Sequence, residues 1–290
     1  MQEYLHFFGK CSIICRRSNF RLLTLAGWLQ STTMETHGMA VFFDMGGTIE
    51  TFWHNRELRL QATPDLCWLL ERAGIHLNLT AEELYNAVTQ GLARYHCWSM
   101  RFLIELPPKL VWREYILADY PVAPHQLDAI AEELSFFVEM RYYQREMRPE
   151  MPAILEAIQR LGLKMGIISN VQSRGQVPAN LQRYGILNYF DPIVLSSVYG
   201  RRKPDPAIFH HAARLAGVPA GMCVFVGDRV SRDILGARRA GYRLAIQIRH
   251  GFGADDDDSN EGPAPDAVLN DMTGLVGILE KELRRSPAGT

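Results

Sequence analysis

The chain repeatedly runs apolar for a few residues and then stops on a polar group. Ala40-Val41-Phe42-Phe43 stops at Asp44, Lys164-Met165-Gly166-Ile167-Ile168 at Ser169-Asn170, and Cys223-Val224-Phe225-Val226 at Gly227-Asp228. Pro192-Ile193-Val194-Leu195 ends at Ser196, and Arg243-Leu244-Ala245-Ile246-Gln247-Ile248 is a further run. Runs that are apolar on both faces suit parallel strands covered by helices. Helical periodicity lies between them. Residues 151–161 carry Ile154, Leu155 and Ile158 before Gly162, and residues 206–216 carry Ile208, Phe209, Ala212 and Leu215 before Gly217. A further helix is expected over 233–240, before Gly241. Strand, helix and strand in alternation, with glycine closing each helix, predict a doubly wound α/β fold with a parallel sheet. Its expected extent is residues 39–52 and 148–285.

Residues 53–147 break that alternation. Helices are expected over 56–73, 80–96, 110–118 and 124–145, with Thr80 and Glu83 spaced as a capping box and Pro107-Pro108 and Pro121 at turns. Such a block after the first strand reads as a helical cap domain, inserted over the carboxyl ends of the strands, where ligands bind. Residues 1–38 read as an extension to the fold. Lys10, Arg16, Arg17 and Arg21 flank short apolar pieces there, and Met34 and Met39 offer later starts. Asp255 to Asp258 lack the ligand spacing of a calcium loop and read as a solvated surface loop.

The formal net charge of −1 provides no global basic field for nucleic acid or anionic membrane. No apolar run reaches the roughly 18 residues of a membrane span. Five scattered cysteines, Cys11, Cys15, Cys67, Cys97 and Cys223, fit reduced thiols in the cytoplasm better than a disulfide framework. The expected partner is a small anionic molecule, with a homodimer also open.

The polar strand ends converge in a parallel sheet, because neighbouring strands lie about 5 Å apart. The set is Asp44, Ser169 with Asn170, Lys203, and Asp228 with Asp233. Paired carboxylates invite a hard divalent cation such as Mg²⁺. A lysine and a hydroxyl beside them suit an anion, so phosphoryl transfer is the expected chemistry.

FFDMGGTI, IISN, RRKPDPAIF and VFVGDRVSRDILGARRAG, in that order, resemble the four motifs of the haloacid dehalogenase-like (HAD) hydrolases. The resemblance covers about residues 40–280, and the insert is similar to the cap of the phosphatase and phosphoglycolate-phosphatase-like branch. It implies a Mg²⁺-dependent phosphatase acting on a small phosphorylated metabolite. Asp44 would be the nucleophile, forming an aspartyl-phosphate, and Ser169 would bind a phosphoryl oxygen. Lys203 would neutralise phosphoryl charge and orient Asp44. Asp228 would bind the metal with Asp44 and the backbone carbonyl of Gly46, and Asp233 would complete the site. Asn170 is a further candidate for substrate binding. Asp233 could instead cap a helix.

One position departs from the pattern. The family's usual DxDxT is here Asp44-Met45-Gly46-Gly47-Thr48, so Gly46 replaces the aspartate that serves as general acid and base. Such help is worth about 10²–10⁴-fold. Glu50, His54 or a residue of the insert could supply the proton. Other readings are a dehalogenase, a phosphonatase for which Lys109 is the one lysine in the insert, and a catalytically weakened binding or regulatory protein. Among the remaining residues, the aromatics of the insert are expected mainly in its core, with Trp53 and His54 nearest the site. Arg201-Arg202 could steer anions, Arg229 could pair with Asp228, and the stretch Val171 to Asn180, with Gln172, Ser173, Arg174 and Gln176, could form one pocket wall.

Overall fold

The structure is a computed structural model that describes residues 38–249 and 262–285. The expected extension before residue 38, with Cys11 and Cys15, and the aspartate run at 255–258 lie outside the described residues.

β1 (Ala40–Phe43) leads through a tight turn into β2 (Glu50–Trp53). The helices α1 (Arg56–Arg72), α2 (Ala81–Phe102), α3 (Pro108–Val111) and α4 (Pro124–Arg141) follow, and β3 (Gln144–Met147) brings the chain back. Then come α5 (Met151–Arg160), β4 (Lys164–Ser169), α6 (Gln176–Arg183), β5 (Ile193–Leu195), α7 (Ser196–Tyr199), α8 (Pro206–Ala216) and β6 (Cys223–Gly227). α9 (Leu235–Arg239), β7 (Leu244–Ile248), β8 (Ala267–Leu269) and α10 (Leu275–Arg285) complete the described chain.

The main sheet has six parallel strands in the order β5-β4-β1-β6-β7-β8. All four residues of β1 and all five of β6 are buried, as their unbroken apolar sequence predicts. Alternate side chains of β1 enter opposite layers. Val41 and Phe43 pack with Leu155, Ile158, Leu181 and Leu279 of α5, α6 and α10. Ala40 and Phe42 pack with Ile208, Phe209, Ala212 and Ala237 of α8 and α9. From β1 the chain steps outward to β4 and β5, then returns to β6 on the other side of β1. The carboxyl ends of β1 and β6 therefore flank the switch point of the sheet, where an open α/β fold binds its ligand.

The insert has its own apolar cluster, including Leu66, Leu84, Val88, Tyr95, Trp112, Leu134 and Tyr142. Polar tips of its aromatics are satisfied inside: the Trp112 indole donates to Ser135 Oγ at 2.9 Å, and the Tyr142 hydroxyl meets Thr63 Oγ1 at 2.8 Å. The Thr80–Glu83 capping box forms. Trp53 and Trp68, by contrast, are exposed.

Three helix boundaries differ from expectation. α2 continues past His96 to Phe102, ending where Leu103 turns left-handed at φ 55°. The helix expected to reach Arg145 stops at Arg141, and 144–147 instead pair antiparallel with β2. The two crossing segments of the insert run side by side, so ladder bonds satisfy backbone groups that a longer helix would carry away from them. The helix expected over 233–240 starts earlier, as a π-helical turn at Val230–Ile234.

Two carboxylates of the insert, buried Glu105 and half-buried Glu139, bind the α/β body. Glu105 receives both bonds of Arg202 Nη1, at 3.1 and 2.9 Å, and a 2.7 Å bond from Ser196 Oγ; the Tyr95 hydroxyl also donates to it. Backbone bonds Glu105 N–Gly200 O and Arg202 N–Leu103 O, both 3.1 Å, flank the pair. Arg202 is thus no anion-steering surface group: its side chain is 10% exposed and is committed to Glu105. Glu139 accepts from the backbone N–H of Gln172 at 2.8 Å and of Ser173 at 2.9 Å. Burial raises its pKa, against those bonds and Arg145. The 172–176 segment is therefore a docking point for the insert rather than a pocket wall. Arg174 N donates to Glu132, and the Gln176 amide lies 3.4 Å from Glu50.

Removing one partner of a buried ion pair leaves an uncompensated charge. Arg202→Ala should lower unfolding free energy by about 3 kcal/mol in urea titrations. The double change Glu105→Gln with Arg202→Met should cost clearly less, since no lone charge remains.

Candidate active site

Asp44 and Asp228 follow β1 and β6 directly, so adjacent strands set their spacing. The Asp44 N–H continues the ladder to Val226 O at 2.9 Å. Asp233 lies in the turn after Asp228, and its Oδ2 accepts the Arg229 N–H at 3.0 Å. Asp233 is therefore buried within the turn and faces the site, not an N-cap. Gly227 makes this possible: a Cβ there would stand 2.5 Å from Asp233 Cβ. One ligand oxygen from each of Asp44, Asp228 and Asp233 falls within 4.8 Å of the others.

Lys203 is the centre of this group. It does not follow a strand end as expected; it comes from the loop between α7 and α8. Its Nζ lies 2.8 Å from Asp44 Oδ1 and 2.7 Å from Asp233 Oδ1, and its side chain is fully buried. Asn170 holds it there. The Asn170 side chain accepts the Lys203 N–H at 2.9 Å and donates to the Lys203 carbonyl at 3.1 Å. Ser169, at the end of β4, is buried beside it.

Two arginines complete the electrostatics. Arg229 pairs with Asp228 as expected, Nε to Oδ2 at 3.3 Å. Arg232, which sequence reasoning passed over, reaches all three aspartates. Its Nη2 is 3.1 Å from Asp44 Oδ2 and 3.5 Å from Asp228 Oδ1, and its Nε is 3.6 Å from Asp233 Oδ1. The sequence carries little signal for it: Arg232 stands four residues after Asp228, but the extended Arg229 lies between them and the π-helical turn begins only at Val230. Burial raises the Asp228 pKa; Arg232 opposes this, and Asp233 and Asp44 add to it. Burial also acts upward on Asp233, but Lys203 and Arg232 outweigh it and hold that carboxyl below its ordinary range.

The residues present fit a hard divalent cation. The donors are carboxylate oxygens, and Asp228 Oδ1 is buried with no hydrogen-bond partner. The backbone carbonyl of Gly46, in the turn after β1, is available whatever the side chain.

The space beside Gly46 holds no carboxylate. A Cβ built there would meet the Phe52 ring at 3.4 Å and Arg145 Nη1 at 3.7 Å. Glu50 does not face this space as a proton donor. It is fully buried and receives bonds from Arg145 at 2.6 Å, Tyr184 at 2.9 Å and Asn180 at 3.0 Å. The His54 ring packs edge-on against Tyr143 at 5.2 Å between centroids. Lys109, the phosphonatase candidate, is exposed at the start of α3.

A sequence model of the haloacid dehalogenase-like hydrolases matches residues 39–241. The chain belongs to that family. Its relatives include a glyceraldehyde 3-phosphate phosphatase from Methanopyrus kandleri, 26% identical over 83% of this chain and 97% of the relative. A phosphoserine phosphatase from Thermus thermophilus is 31% identical over 63% of this chain and 68% of the relative. Among solved structures, a 2-haloacid dehalogenase from Pseudomonas syringae pv. Tomato superposes with a TM-score of 0.57 at 26% identity, over 84% of this chain and 99% of that one. Among the described residues, no helix is long and apolar enough to cross a membrane.

Lys203→Met leaves two buried carboxylates short of their shared cation, and should cost about 3–5 kcal/mol at neutral pH. In the wild type the depressed Asp233 contributes stability that is in place above its unfolded pKa of about 3.9 and is lost as pH falls through the lower folded value. The variant lacks that contribution. Urea titrations at several pH values should show the widest gap near neutrality and a narrowing gap below about pH 4.

Proposed function

We propose that this protein is a Mg²⁺-dependent phosphatase that hydrolyses a small phosphorylated metabolite through a phosphoryl-Asp44 intermediate. The observation that carries this reading is the buried lysine held between Asp44 and Asp233 at the switch point of the sheet. That arrangement gives Asp44 a fixed direction for attack. The match to phosphatases over most of their length adds support. Residues 53–147 would act as the cap over the strand ends.

In the first step a carboxylate oxygen of Asp44 bonds to phosphorus, the bond from phosphorus to the leaving oxygen breaks, and that oxygen takes a proton from water, since no side-chain acid stands beside Gly46. In the second, water attacks phosphorus, inorganic phosphate leaves, and the Asp44 carboxylate is restored. Lys203 and the Met45 N–H, which donates to Asp44 Oδ1 at 2.8 Å, hold the nucleophile in place. Lys203 also neutralises phosphoryl charge, Ser169 donates to a phosphoryl oxygen, and Asn170 positions Lys203. A divalent cation, held by Asp44, Asp228, Asp233 and the Gly46 carbonyl, supplies further neutralisation of the transferring group.

The lack of an aspartate at position 46 leaves a second reading, a dehalogenase using Asp44, Ser169 and Lys203 without a metal, although glycine there suits the phosphatase better. A metal test separates the two. Hydrolysis of an aryl phosphate should disappear in EDTA and return with Mg²⁺; phosphate hydrolysis that ignores EDTA would sink the metal dependence, and halide release from a 2-haloacid in EDTA with no phosphate hydrolysis would sink the phosphatase reading. Asp44→Asn should lose turnover while its circular dichroism spectrum stays native. Unchanged activity in that variant refutes the nucleophile assignment. Gly46→Asp places a carboxyl near Arg145, which will hold part of its charge. Steady-state kinetics should show a gain of about tenfold on alkyl phosphates, below the full 10²–10⁴ of a free general acid, and little change on aryl phosphates.

A further inference from the structure

The guanidinium of Arg232 stands on oxygens that a divalent cation would use. It contacts Asp44 Oδ2 and Asp228 Oδ1 through Nη2 at 3.1 and 3.5 Å, and Asp233 Oδ1 through Nε at 3.6 Å. Asp228 Oδ1 and Asp233 Oδ1 are both buried without a hydrogen-bond partner, but Asp233 Oδ1 already stands 2.7 Å from Lys203 Nζ, so Asp228 Oδ1 is the atom most open to a competing cation. We propose that Arg232 is a tethered counter-cation that competes with the divalent cation for the three aspartates and so sets the metal affinity of the site. This rests on the metal reading given under Proposed function.

A +1 guanidinium and a +2 ion within a few ångströms of each other repel strongly where water is scarce. Both cannot share the same three carboxylates at these distances, so the ion displaces the guanidinium. The side chain can leave. It is 19% exposed, whereas the side chains of Asp44, Asp228 and Asp233 are at most 4% exposed. Its long flexible stem can carry the charged head toward solvent without moving the backbone. Lys203 cannot do the same, because its side chain is fully buried and Asn170 bonds its backbone on both sides. The two cations therefore divide the work: Lys203 is the fixed charge and Arg232 the exchangeable one. Without Arg232 the three carboxylates repel one another more, and the protein that carries no ion loses stability.

Calorimetric titration of Mg²⁺ into the full chain, without substrate, tests this in the wild type, Arg232→Gln and Arg232→Lys. Arg232→Gln should bind Mg²⁺ about tenfold more tightly. Arg232→Lys keeps the charge but is too short to span all three carboxylates, and should fall between. In thermal melts in EDTA, Arg232→Gln should unfold at a lower temperature than the wild type, and Mg²⁺ should raise its midpoint by more. Equal or weaker Mg²⁺ affinity in both variants overturns the competition while leaving the metal site standing. If Arg232→Gln does not fold, Arg232→Lys decides: tighter binding supports the proposal and unchanged binding overturns it. Absence of Mg²⁺ binding in the wild type and both variants overturns the metal site, and the competition with it. Asp228→Asn is the control that should lose binding in either background.

Discussion

The structure depends on one fully buried ammonium group. Lys203 sits between Asp44 and Asp233, which come from opposite ends of the described sequence and would repel each other without it. Burying this much charge is costly, and the cost is tolerable only with close pairing and a fixed backbone. Much of the surrounding architecture provides that fixing. Asn170 clamps the lysine backbone, Gly227 lets Asp233 approach, and the parallel pairing of β1 with β6 sets Asp44 beside Asp228. Fold and site are thus specified by the same contacts.

The strand-end residues are legible in the sequence because each is a local event. An apolar run that stops on Asp44, Ser169 or Asp228 must place that polar group where the strand leaves the core, whatever the rest of the chain does. The helix stops at Gly162, Gly217 and Gly241 are readable for the same reason. Lys203 is legible by its motif but not by its position, since the loop that carries it departs from a strand that ended at Leu195.

The unread features are those with distant partners. Arg202 looks like one of many surface arginines until Glu105 appears opposite it, 97 residues away in the chain. Glu50 looks like an available acid until four groups from the β2–β3 ribbon and α6 close around it. The antiparallel pairing of β2 with β3 is hidden because Gln144–Met147 carries no apolar run, only a half-exposed alternation. Arg232 is the exception. Its partner Asp228 is only four residues back, yet the extended Arg229 separates Asp228 from the π-helical turn, so no helical pattern pairs them.

The placement of the Glu105–Arg202 pair bears on how such a chain can diversify. Arg202 is the immediate neighbour of Lys203, so the junction that holds the insert also abuts the residue on which the site is built. Inserts from relatives cannot be exchanged here as independent modules. A foreign insert lacking a carboxylate in the place of Glu105 would leave Arg202 stranded beside Lys203, and the disturbance would be felt in the chemistry before it was felt in specificity. If the insert acts as the proposed cap, new substrate preferences would be reached more readily by changing side chains on an insert that keeps this anchor than by recombining whole inserts.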